Sequence, residues 1–229
     1  MDENNTNSTV HSMKPSGFVF HESRCGSTLV ANALTAMDPI EHRVYSESRP
    51  PTSAMQACGP TGKPCQLLRD VVYMMGRTGD PNERRMFFKI QSSGSRYIDV
   101  VRDSFPDTPW VFVYRDPVQI MVSQFKRRTA NANCVKHMAH YKMSERTKKF
   151  LATIGRDAKG LSVVEKCALH LSTLCNFAIS SISRSDGMGK SLNYENIVDK
   201  LITNIIPNHF NVPMKEESRK RIIEVSGQY

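Results

Sequence analysis

None of the six cysteines, at 25, 58, 65, 134, 167 and 175, forms a Cys-x-x-Cys pair, so a structural zinc site has little support. No stretch of eighteen apolar residues occurs, which excludes a membrane-spanning helix. The start, MDENNTNSTVHSMKPSG, lacks the apolar core of a secretory signal. Residues 1–16 read instead as a disordered lead-in, or as the stub left where an anchor was removed. Acidic residues are outnumbered, 22 Asp and Glu against 31 Lys and Arg, leaving a formal charge of +9. That excess favours an anionic partner without choosing among nucleic acid, phosphorylated or sulfated ligands and anionic glycans. No RNP-type aromatic pattern accompanies the charge, so specific nucleic-acid recognition is not expected.

What is present is the composition of a globular chain. A hydrophobic fraction of 39% and 229 residues suffice for one generous domain with a real core. Short apolar runs alternate with helical periods. GFVFH (17–21), RVYSE (43–47), MFFKIQ (86–91), WVFVY (110–114) and LNY (192–194) read as strands. RVYSE is stopped by RPP (49–51), which marks a strand end or an edge strand. Helices are expected over Thr28–Met37, Gln66–Met75, Arg96–Ser104, Val118–Arg128 and Val163–Ser183, with two more near 196–205 and 215–225. Residues 52–65 read as loop. Alternating strands and helices predict an α/β three-layer, P-loop-like fold with a central parallel sheet, covering 17–229. Within it, CGPTGKPC (58–65) suits either a disulfide in an oxidising compartment or a reduced surface loop. Cys167 and Cys175 fall on an apolar helix face, where free thiols behave as small hydrophobes.

The stretch FVFHESRCGSTLVANAL (18–34) goes from strand through a short polar turn into helix. Such a turn offers backbone N–H groups and a positive helix end to an anion. Ser27 and Thr28 add hydroxyl donors, and Arg24 adds a charged fork for phosphate oxygens. The Lys of a GxxxxGK[ST] loop is missing, which disfavours ATP or GTP hydrolysis. A bare strand-to-helix turn is the alternative for this stretch taken alone. A second element changes the balance. In WVFVYRDPVQIMVS, Arg115 follows a strand, and Ser123 lies about two turns along a helix opened by Pro117. Both elements then face one crevice beyond the carboxyl ends of the strands, where α/β folds hold ligands.

SRCGSTL (23–29) resembles the 5′-phosphosulfate loop of the sulfotransferase superfamily, and RDPVQIMVS (115–123) resembles its 3′-phosphate motif. LNYENIVDKL (192–201) is similar to that family's late Tyr-Glu segment. The motif layout is nearest to the Golgi-type, protein-tyrosine sulfotransferase branch. The resemblance implies 3′-phosphoadenosine-5′-phosphosulfate as donor, held by Arg24, Cys25, Gly26, Ser27, Thr28, Leu29, Arg115 and Ser123, with no metal. It implies a hydroxyl acceptor, on a carbohydrate, a tyrosine or a small metabolite, anionic acceptors included. A divergent, non-catalytic nucleotide-binding protein of phosphotransferase type is the alternative.

Sulfuryl transfer needs a base for the acceptor proton and cations for the leaving phosphate. Arg24 and Lys89 match the family's cations. Gln91 stands where cytosolic members place a histidine base, and an amide cannot take a proton. Glu47, in YSESRP, matches the carboxylate base of the tyrosine-sulfating branch, and partial desolvation is expected to raise its pKa. Arg49 is a candidate for acceptor binding, whereas Tyr194 and Glu195 read as structural. His137 and His140 read as a solvated helix face rather than metal ligands. The family's closing basic or glycine-rich segment does not follow, so either the lid is minimal or the chain is part of a longer protein. The compartment stays open between the cytoplasm and, with an anchor removed, the Golgi lumen.

Overall fold

A computed structural model describes residues 10–59, 63–126, 134–136 and 145–227. His137, His140 and the last two residues of the helix expected over Val118–Arg128 lie outside the described residues. Five strands form one parallel sheet: β2 (Pro15–His21), β3 (His42–Ser46), β5 (Arg85–Lys89), β6 (Trp110–Tyr114) and β7 (Gly189–Asn193). Their order across the sheet is β3-β5-β2-β6-β7, which makes β3 an edge, as RVYSE suggested. A small antiparallel pair, β1 (His11–Ser12) with β4 (Arg77–Thr78), sits apart. Ordered strand therefore begins before residue 17, the boundary expected for the lead-in.

The period-two alternation of the strands sorts the core into two layers. Phe18, Phe20, Met86, Phe88, Trp110 and Phe112 face one side of the sheet. They pack on α2 (Arg49–Cys58), α3 (Gln66–Gly76), α4 (Ile98–Ser104) and one face of the long helix Val163–Ile182. Val19, Phe87, Val111 and Val113 face the other side, toward α1 (Ser27–Met37), the π-helical run Leu201–His209 and the last helix, Glu216–Ser226. Aromatic rings lock the first layer, with Phe18 stacked on Phe88 at 5.5 Å and Phe20 edge-on to Trp110 at 5.9 Å. Each fully buried ring contributes about 1.5–3 kcal/mol relative to exposure.

Four expectations need correction. Residues 52–65 are not all loop, because RPP opens α2; Pro50 and Pro51 sit in its first turn, where a missing N–H costs nothing. Residues 96–104 begin as a 3-10 turn (Ser92–Tyr97) before α4, and the last strand runs Gly189–Asn193 with Tyr194 already in the next turn. Cys167 is no free hydrophobe: it is disulfide-bonded to Cys134, and Cys58 to Cys65. The Cys134–Cys167 bond joins residues 33 apart in sequence, so helical periodicity carried no sign of it. Cys25 and Cys175 remain free thiols. No helix among the described residues is long and apolar enough to cross a membrane.

Candidate functional site

All five parallel strands deliver a candidate residue at or just past their carboxyl ends. His21 closes β2 and the Glu22–Gly26 loop follows it, Glu47 follows β3, Lys89 closes β5, Arg115 follows β6 and Tyr194 follows β7. The Glu22–Gly26 loop turns tightly enough to put Ser23, Arg24 and Gly26 at positive φ (72°, 56° and 86°). Gly26 caps α1, and a Cβ on it would lie 2.8 Å from Cε2 of Tyr194. Only glycine permits both that φ and that approach. The Leu29 N–H donates to the Gly26 carbonyl at 2.9 Å, and the positive end of α1 ahead of it faces the loop, as an anion requires. Ser27 is buried beneath the loop, while Thr28 and Arg24 are exposed.

Helix α5 (Pro117–Phe125) is capped by Asp116, whose Oδ1 accepts from the Gln119 N–H at 3.0 Å. From this helix the Ser123 hydroxyl accepts from Arg24 Nε–H at 3.0 Å, and Gln124 donates to the Ser23 hydroxyl at 3.4 Å. Arg115 donates from Nε to Gln119 at 2.6 Å, and its guanidinium stacks 4.1 Å above the Tyr194 ring. The two sequence motifs thus meet, yet Ser123 turns to Arg24 and Arg115 turns to Gln119 and Tyr194. An open cleft of about 660 Å³ beside them is lined by Leu29, Gln119, Tyr194, Glu195 and Ser226.

A second cluster stands at the ends of β3 and β5. Lys89, 3% exposed, is ion-paired through Nζ to Oε1 of Glu47, whose side chain is 47% exposed. Glu47 itself sits at φ 56°, its N–H donating to the Lys89 carbonyl at 2.7 Å. Gln91 donates to the Glu47 carbonyl at 3.1 Å and so braces the carboxylate's backbone. The expected raised pKa of Glu47 is not found. The contact with His21, ahead of desolvation and Lys89, leads the forces on it, and the net effect lowers it to about 2. Two donors on one oxygen outweigh partial burial.

Sequence reasoning passed over the two residues that open the loop. His21 and Glu22 are 3% and 2% exposed. Their signal was position alone: a His-Glu pair at the carboxyl end of an apolar strand. Burial raises the Glu22 carboxyl to about 7, and Cys175 lies 3.0 Å from its Oε1. Cys25 points inward, its Sγ–H donating to the Val113 carbonyl at 3.1 Å, and burial pushes the thiol up to about 12. It lends the loop a backbone, not a reactive sulfur. Among the described residues, no group of three or more His, Cys, Asp or Glu side chains is arranged to hold a metal.

Neither a family model nor a curated protein matches the sequence. Solved structures do match in fold. The sulfotransferase domain from the curacin biosynthetic pathway aligns with a TM-score of 0.53 at 13% identity, over 92% of this chain and 78% of that one. A sulfotransferase from Mycobacterium avium aligns at 0.54 and 12%, over 95% and 69%. One from Alicyclobacillus acidocaldarius aligns at 0.50 and 13%, over 94% and 92%. At such identities the likeness is one of fold: this chain has the α/β fold of those sulfotransferases.

Proposed function

We propose that this protein transfers a sulfuryl group from 3′-phosphoadenosine-5′-phosphosulfate to a hydroxyl of a carbohydrate, tyrosine or small-metabolite acceptor. The observation that carries the reading is a pair of clusters at the carboxyl ends of one parallel sheet: Arg24 on Ser123 with Arg115 on Gln119, and Lys89 on Glu47. The donor set suits a ligand with two anionic ends. Arg24 and the N–H groups over Gly26–Thr28 would hold the 5′ end, Arg115 and Ser123 the 3′-phosphate, and the face of Leu29, Gln119 and Tyr194 the adenosine. When bound, the donor supplies an activated sulfuryl group whose S–O bond to phosphate breaks as the acceptor oxygen bonds to sulfur.

The chain's own contributions follow from its charges. Arg24 stabilises negative charge developing on the leaving phosphate, and Lys89 that on the sulfuryl oxygens. Glu47 is ionised at neutral pH and accepts the acceptor's proton. Its proton affinity is low while Lys89 holds it. When Lys89 turns to an anionic ligand, Glu47 loses one of the contacts keeping it ionised, and that affinity rises. The two disulfides favour an oxidising compartment, the Golgi lumen over the cytoplasm.

Calorimetry with the donor and its desulfated product is the first test, with dissociation constants in the low micromolar range expected, roughly −8 kcal/mol. A labelled-sulfate screen against sugar, phenol and peptide acceptors then identifies the acceptor. Glu47→Gln is expected to abolish turnover while sparing nucleotide affinity. Absence of binding by either nucleotide refutes the reading.

A further inference from the structure

His21 has no part in the scheme above, yet it is the most tightly placed side chain near Glu47. Its backbone is pinned by buried Ser95, whose hydroxyl donates to the His21 carbonyl at 2.9 Å and accepts from the His21 N–H at 3.1 Å. The ring is pinned as well: the Ser23 N–H donates to Nδ1 at 2.9 Å. A ring nitrogen that accepts a hydrogen bond carries no proton, so the proton of the neutral imidazole belongs on Nε2. Burial, above all, lowers the pKa of this ring and keeps it neutral.

Nε2 is buried without a partner at ordinary hydrogen-bond distance, and it faces Oε1 of Glu47 at 3.5 Å. With a neutral ring this is a long N–H···O contact rather than an ion pair. The same Oε1 carries Lys89 Nζ, so both contacts fall on one carboxylate oxygen. The groups acting on the His21–Glu47 pair are Lys89 from the end of β5, the Ile90 carbonyl, and the two residues themselves. Lys89 has a flexible stem and a mobile charge. His21 is held by a backbone N–H and by a buried serine, so it has nowhere to go.

We infer that His21 is a positioning residue for Glu47: its Nε2–H anchors Oε1 so that Oε2 takes the acceptor's proton, and it keeps the carboxylate in place when Lys89 exchanges Glu47 for a bound anion. The inference rests on the reading that Glu47 is the base. The anchor also explains how a carboxylate at a left-handed loop position, half exposed to solvent, keeps one orientation.

Nuclear magnetic resonance on the ligand-free full chain tests the anchor. In the wild type, imidazole ¹⁵N shifts are expected to show the proton on Nε2 with Nδ1 as acceptor; the opposite tautomer overturns the inference without any variant. The ¹³C-carboxyl titration of Glu47, assigned with Glu47→Gln, is expected to move up by about one pH unit or more in His21→Leu. His21→Gln, which keeps an N–H donor, is expected to restore most of that shift. With donor and acceptor present, the acidic limb of kcat is expected to move with the titration while the donor KM stays within about twofold. An unmoved Glu47 midpoint in folded His21→Leu overturns the inference. The resonance arms need no donor: a coupled midpoint without turnover counts against sulfuryl transfer, and an uncoupled midpoint with intact turnover counts against His21.

Discussion

Replacing Gly26 with alanine probes the loop where backbone conformation, packing and ligand binding converge. At φ 86° a residue with a Cβ pays roughly 1–2 kcal/mol for the left-handed conformation. The new Cβ would also lie 2.8 Å from Cε2 of Tyr194, and closer still to Cδ2, so the ring must move. Overpacking of that kind costs about 1–3 kcal/mol, which brings the expected loss to roughly 2–5 kcal/mol. Gly187 is the control: it has nearly the same φ, 84°, and no atom within 4 Å of a Cβ placed there. Gly187→Ala should therefore show the conformational cost alone. Because Arg115 stacks on the Tyr194 ring, Gly26→Ala is also expected to weaken the desulfated donor about tenfold or more, while Gly187→Ala leaves it unaffected. Urea denaturation of both variants, with Gly26→Ala/Tyr194→Ala closing a mutant cycle, measures the contact. Equal losses for the two single variants would refute the argument, since the Tyr194 contact would then carry no energy.

Other outcomes follow from the same geometry. Arg115→Ala should weaken the donor and its desulfated product by about 1.5–3 kcal/mol, the value of a charged hydrogen bond; unchanged calorimetry would move the 3′-phosphate elsewhere. Alkylation in urea without reductant should tag only Cys25 and Cys175, and all six cysteines after reduction. Six adducts without reductant would disprove both disulfides, each of which stabilises the fold by roughly 2–4 kcal/mol in the chain-entropy account. Glu22 binds its proton more tightly folded, at about 7, than unfolded, near 4.5. Its ionisation therefore costs nothing below pH 4.5, and the cost grows to a full value of about 3 kcal/mol above pH 7. Glu22→Gln should stabilise the protein at pH 8 and change little at pH 4; equal effects at both pH values would contradict the burial of this carboxyl. Glu47 has the opposite sign, since its lowered pKa gives stability that is present above 4.5 and lost as the pH falls toward 2.

Much of this architecture was legible in the chain. WVFVY and GFVFH announced buried strands because a short apolar run is a local property, and Pro117 announced a helix start because its fixed φ is local too. Arg24, Arg115 and Ser123 could be matched to one crevice because parallel strands all point their carboxyl ends the same way. RPP misled, since two prolines stop a strand and open a helix equally well, and only the packing of Ala54 and Met55 on the aromatic layer chose the helix. The pKa of Glu47 misled for a deeper reason. Its surroundings are assembled from residues 21 and 89, and no local pattern contains them.

Composition, apolar runs and turn chemistry by themselves thus determined the α/β class, the succession of most elements and the strand-to-helix turn at Arg24–Thr28. Tertiary structure alone decided the strand order β3-β5-β2-β6-β7, the Cys134–Cys167 pairing, the turn of Arg24 toward Ser123, and the grip of Lys89 and His21 on one oxygen of Glu47. The division follows the range of the forces. Backbone preferences act over a few residues, whereas desolvation and Coulomb interactions depend on which distant side chains the fold brings together.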